Sequence, residues 1–127
     1  MDLRNGREIL FEPMLYQPEK KIKVSTYTDN HTVLITQSGH ELVMNSSSNK
    51  GFTLPSVAAA DVGLEYTFTN INTGRLTITA SDSDTIDDSA AGATIYSDDN
   101  AIASITLRLV SETHWQIQAA NGTWVTT

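Results

Sequence analysis

The chain has no cysteine. That absence removes disulfides, thiol nucleophiles and Cys-ligated zinc together. Proline is scarce, and two of its three positions, Pro13 and Pro18, fall near the N-terminus. Basic side chains are few. Eight Lys and Arg against 15 Asp and Glu leave a formal net charge of −7 and a pI near 4.7. A free nucleic-acid binder presents a basic face, so this balance argues against DNA or RNA as partner. No apolar run is long enough to span a bilayer. Met1-Asp2-Leu3-Arg4-Asn5-Gly6 lacks the apolar centre of a signal peptide. The expectation is a soluble chain, made in a cytoplasm and kept there or in an assembly released from it.

What the chain does have is Thr, Ser and alternation. Its 127 residues suit one core. Leu64, Tyr66 and Phe68 share one face of a segment; Leu76, Ile78 and Ala80 share one face of the next. Ile105, Leu107 and Leu109 alternate with Thr106, Arg108 and Val110, and Trp115, Ile117 and Ala119 follow. Apolar side chains at every second position are the mark of half-buried strands.

Earlier segments read as shorter strands. Ile22 and Val24 share a face opposite Lys21, Lys23 and Ser25. Val33-Leu34-Ile35 reads as a short buried strand, and Glu41 to Met44 as another. These are expected to pair as hairpin-connected antiparallel strands. Asn45 to Gly51 is a polar loop. Pro55 ends the Phe52–Leu54 strand, and Ser56 is placed to cap one turn of helix through Ala58-Ala59-Ala60, ended by Gly63. Asn70 to Gly74 reads as a hairpin loop. Asn121-Gly122, the strongest two-residue hairpin signal, would pair Gln116–Ala119 with Thr123–Thr126. The expected fold is all-β: an antiparallel β-sandwich or jelly roll over residues 21–127.

Residues 1–20 fit no element. Ile9, Leu10, Phe11, Met14, Leu15 and Tyr16 are apolar, but Pro13 and Pro18 interrupt them. Such a segment is an extended N-terminal arm, lying either over its own core or on a partner subunit.

One order of motifs stands out. Leu54-Pro55 is followed by a small-residue run ending in Gly63, then Phe68-Thr69-Asn70, Leu76-Thr77-Ile78-Thr79, Asp84-Thr85-Ile86-Asp87 and Ser111-Glu112-Thr113-His114-Trp115. This order resembles a β-module of tailed-bacteriophage structural proteins: head-decoration (cement) proteins, head fibres and tail-fibre segments. The resemblance covers residues 52–127. It departs at Asp82-Ser83-Asp84, where the loop is often Gly-rich, at Ser89, where Gly often follows the Asp, and at Glu112-Thr113-His114. The resemblance implies a non-enzymatic β-sandwich or jelly roll, usually trimeric. So short a chain with an apolar arm is more similar to a cement protein than to a fibre.

The function expected on that basis is capsid decoration. A homotrimer would sit on the outer surface of the virion, bound to the major capsid protein. Arg4, Arg7, Ile9, Leu10, Phe11, Leu15 and Tyr16 would carry the contact, with Lys20, Lys21 and Lys23 steering it. The alternative is a head- or tail-fibre adhesin module whose Tyr96, His114, Trp115 or Trp124 stacks on host carbohydrate. Trp115 is expected in the core with its N–H satisfied at the turn.

No constellation for chemistry emerges. Asp82 to Asp99 is acidic, but Asp87 stands where an EF-hand loop needs Gly, so solvated turns explain it better than calcium. His31, His40 and His114 have no metal-ligand spacing. Ser, His and Asp occur without a nucleophile elbow. No cofactor and no metal are expected.

Overall fold

The computed structural model describes residues 21–88, 92, 94–98 and 102–127. The proposed arm and all of its contact residues lie outside them.

Among the described residues, eleven strands form two mixed sheets packed face to face, an all-β sandwich. They are β1 (Val24–Tyr27), β2 (His31–Thr32), β3 (Glu41–Met44), β4 (Lys50–Thr53), β5 (Glu65–Asn70) and β6 (Leu76–Thr79). There follow β7 (Thr85–Ile86), β8 (Thr94–Ser97), β9 (Ala103–Ser111), β10 (His114–Asn121) and β11 (Trp124–Thr126). The larger sheet has the order β1-β3-β5-β9-β10-β7; the smaller has β11-β8-β6-β4-β2.

The pairing differs from the expected hairpins. From β1 to β6 the chain alternates between sheets. Val24 pairs with Glu41 and Glu41 with Thr67, both in parallel. His31 pairs with Phe52 and Lys50 with Leu76, again in parallel. This half is therefore a coil of three turns, each strand lying on the one a full turn earlier. Parallel neighbours need a long crossover, and here each crossover is a strand of the opposite sheet. The jelly-roll connectivity is not what the chain adopts. Antiparallel pairing begins at β8, which joins β6 in the smaller sheet; in the larger sheet β9 then joins β5 on one side and β10 on the other.

The corners explain why. Asn70–Gly74 turns the chain from one sheet to the other and is not a hairpin loop. Buried Asn70 donates to the Gly74 carbonyl at 2.8 Å, and Leu76 N–H donates to the buried Ser97 hydroxyl at 3.1 Å. Gly74 lies against the preceding corner, its N–H 3.0 Å from Ser46 O; a Cβ there would collide with the Ser48 carbonyl. Asn72 reaches Asn45 across the same corners at 2.9 Å.

Asn121-Gly122 likewise passes the chain between sheets. β11 pairs with β8, Val125 opposite Tyr96, and not with β10. The real hairpin is one turn earlier, between β9 and β10, with His114 opposite Ser111. Val33-Leu34-Ile35 is not a buried strand either. Val33 is buried, but Leu34 and Ile35 are exposed and lead into a 3-10 turn at Ile35–Gln37. Ser56 caps nothing. Ala59–Asp61 is a single 3-10 turn whose Asp61 carboxylate accepts from Ala58 N–H at 2.9 Å. The Ser56 hydroxyl instead meets Ser81 Oγ at 3.0 Å.

Alternation places the core as the sequence suggests. Leu42, Met44, Phe52, Leu54, Tyr66, Phe68, Leu76, Ile78, Ile95, Ile105, Leu107, Leu109 and Trp115 are buried together. Trp115 is wholly buried, but its indole N–H has no acceptor, contrary to the expectation that the turn would supply one. Trp115 is therefore held by packing alone. Trp115→Ala should cost about 3–5 kcal/mol, and Trp115→Phe less than half of that, since it also removes an unpaired donor. Urea denaturation of both variants measures this; equal losses would contradict it.

Candidate functional site

The surface divides into an apolar margin, a bonded polar face and an open cleft. The margin belongs to the first turn of the coil. β1 is an edge strand whose single neighbour among the described residues is β3. Ile22 is 66% exposed and Val24 54%, on the face turned from the core. Both were expected to share a face, and they do; that face meets solvent. Also exposed are Ile35 in the 3-10 turn before β3, Val62 in the turn before β5 and Val110 near the end of β9. An edge with unpaired backbone groups and apolar side chains is a template for another chain. Exposed Lys21 and Lys23 flank it. In sequence this edge follows residues 1–20.

The outer face of the larger sheet is tied up internally. Arg108 holds Glu65 Oε1 through Nε at 2.8 Å and Nη2 at 2.7 Å. Thr67 and Thr106 hydroxyls meet at 2.9 Å, and Thr69 donates to Glu41 at 2.7 Å. Partly exposed pairs of this kind contribute at most about 1 kcal/mol each.

Each histidine has a structural partner or setting. His31 stacks on Tyr27 at 4.0 Å, and its Nε2 lies 3.0 Å from Gln37 Oε1. Gln37 in turn donates to Tyr27 Oη at 2.8 Å, closing a polar lid on the first turn. His40 lines a small cleft with Ile22, Glu41, Glu65 and Thr67, its Nδ1 buried and without a partner. His114 straps β7 to β10. Gln116 donates to Asp87 Oδ1 at 2.8 Å, which turns its carbonyl toward His114 Nε2 at 3.0 Å. Nε2 therefore carries the proton, and Nδ1 accepts from the Thr85 hydroxyl at 2.6 Å. No group of three His, Asp or Glu side chains able to hold a metal occurs among the described residues.

In the acidic loop Asp82 and Asp87 adopt φ of 52° and 53°. Those are left-handed values that glycine takes freely and Asp tolerates. Asp84 is buried. Its burial, and secondarily the Asp82 carboxylate, raise its pKa above the usual Asp value.

The tryptophans offer no stacking platform. Trp115 is fully buried, and half-buried Trp124 gives its N–H to Ser104 O and Asn121 O, each at 3.1 Å. Tyr96 lies on the outer face of the smaller sheet, with the Arg75 guanidinium 4.4 Å from its ring centre.

Beside Tyr96 is a cleft that sequence reasoning missed. It measures about 390 Å³ and is bordered by Asn30, Asn49, Lys50, Gly51, Thr53, Thr77 and Thr79. Its floor is Gly51 on β4, opposite Thr77 on β6; a Cβ there would lie 2.6 Å from the Thr77 carbonyl. A glycine inside a strand pattern is the sequence signal for such close approach.

No helix among the described residues is long and apolar enough to cross a membrane. Comparison with protein-family models finds none that matches the chain, and comparison with curated proteins finds no match either.

The Asp84 environment makes stability depend on pH. The folded chain holds this proton more tightly than the unfolded chain, so Asp84 subtracts stability as pH rises from the ordinary carboxylate range through its raised pKa. Asp84→Asn should therefore raise the melting temperature at neutral pH and leave it little changed below about pH 3. Thermal melts at both pH values check this. A variant no more stable than the parent at neutral pH would contradict it.

Proposed function

We propose that the protein is a capsid-decoration (cement) protein of a tailed bacteriophage, a trimer seated on the outer surface of the major capsid protein. The observation that carries the reading is the exposed apolar pair Ile22 and Val24 at the β1 edge, which follows the Pro-broken apolar segment in sequence. The resemblance of residues 52–127 to phage β-modules supports it. So does a larger sheet whose polar side chains bond one another beside this apolar edge.

In this reading the sandwich is a rigid plug and the margin is its docking side. Ile9, Leu10, Phe11, Leu15 and Tyr16 bury apolar area on capsid subunits, and Arg4 and Arg7 with Lys21 and Lys23 steer approach to an acidic surface. Binding the assembled shell and not its separate subunits stabilises the shell by mass action. No side chain needs to do chemistry.

The test removes the arm and leaves the sandwich. A chain lacking residues 1–18 should melt within a few degrees of the full chain and fail to co-sediment with empty phage shells. Val24→Lys in the full chain should weaken co-sedimentation without loss of fold. Decoration by the truncated chain at undiminished occupancy would overturn the proposal.

A further inference from the structure

We propose that the Gly51 cleft on the outer face of the smaller sheet is a binding site for a neutral saccharide. The argument rests on hydrogen-bonding groups already oriented and not used by the protein. Asn30 spends its side-chain oxygen on Gly51 N–H at 2.8 Å, and Asn49 spends its own on Arg75 N–H at 2.8 Å. Both carboxamides are thereby fixed with their NH2 groups free of protein acceptors among the described residues. The hydroxyls of Thr53, Thr77 and Thr79 likewise have no protein partner among the described residues.

The sheet register sets these groups in order. Gly51 lies opposite Thr77, and Thr53 opposite Thr79. Strands are about 4.8 Å apart and alternate residues along a strand about 6.8 Å apart. The result is a small grid of hydroxyls with a bare backbone floor, walled by two amides. Hydroxyls both donate and accept, while the amide NH2 groups donate. Their complement is a ligand carrying many hydroxyls and ether oxygens at short spacing, which is a sugar ring.

Charge favours a neutral sugar over an acidic one. Lys50, the one cation among the described residues that line the cleft, is held by Asp29 at 3.0 Å, and the chain carries a net charge of −7. An aliphatic ligand would leave every one of these groups unpaired. The volume of about 390 Å³ falls within the range of small-ligand sites. Arg75 packs over the ring of Tyr96, the residue opposite Thr77 on the next strand. The cleft lies on the smaller sheet, and the margin assigned to the capsid lies on the larger one. The two proposals can therefore fail separately.

The experiment is an NMR titration of the full chain with maltotetraose, mannotetraose and chitotetraose into the tens of millimolar. At least one sugar should give saturable shifts centred on the Gly51, Thr53 and Thr77 amides. Thr53→Val with Thr77→Val removes two hydroxyls while keeping β-branched side chains on the strands. It should weaken binding at least about tenfold, with the rest of the amide spectrum unchanged. Three results would overturn the inference: no saturable shift with any of the three sugars, shifts centred elsewhere, or undiminished binding by the double variant.

Discussion

A continuous line of aromatic rings runs through the sandwich, and both halves of the fold depend on it. Trp115 on β10 lies 5.8 Å from Tyr66 on β5, and Tyr66 lies 6.0 Å from Phe68. Phe68 meets Phe52 on β4, in the opposite sheet, at 5.2 Å. Phe52 then meets Tyr27 on β1 edge-on at 5.7 Å, and Tyr27 stacks on His31 of β2 at 4.0 Å. The line starts in the antiparallel hairpin and ends in the first turn of the coil. It is what fastens three short parallel turns to a long hairpin. β1 and β2 are too short to stand on backbone pairing alone. Their position is set by Tyr27 and His31 pressing on Phe52.

That dependence explains the surface. Because Tyr27 and His31 face inward, Val24 and Ile22 face outward at the edge of the sheet. The polar lid formed by Gln37 over Tyr27 and His31 closes the end of the core without covering the edge. An apolar edge thus remains beside the point where residues 1–20 join. On the smaller sheet the same inward packing of Phe52 turns its neighbour Gly51 outward, and the absent side chain opens the cleft.

Strands and inward faces were legible in the sequence because period two is a local property. Leu64, Tyr66 and Phe68 or Ile105, Leu107 and Leu109 announce their burial without reference to partners. Pairing was not legible, because alternation does not say which of two sheets a strand joins. Asn70 to Gly74 has the length and residues of a hairpin loop, yet Asn70 turns inward to bond Gly74 and Ser97 lies beside it, and the chain crosses over. Asn121-Gly122 fails as a hairpin signal because Trp124 is drawn to the core edge with its N–H on Ser104. Of the candidate surface, the shared Ile22–Val24 face could be read from spacing; the proposed arm lies outside the described residues. The cleft could not, since Asn30, Gly51 and Thr77 converge only through the register of three strands. Gly51 between Lys50 and Phe52 was its one local sign.

The central claim is that the first-turn edge is the docking side of the molecule. Hydrogen exchange of the full chain, free and bound to empty phage shells, tests it most directly. The claim predicts that amides of residues 21–27 gain protection on the shell while those of Gly51, Thr53 and Thr77 do not change. Unchanged exchange at residues 21–27 in a bound sample, with protection gained on the smaller sheet, would contradict it.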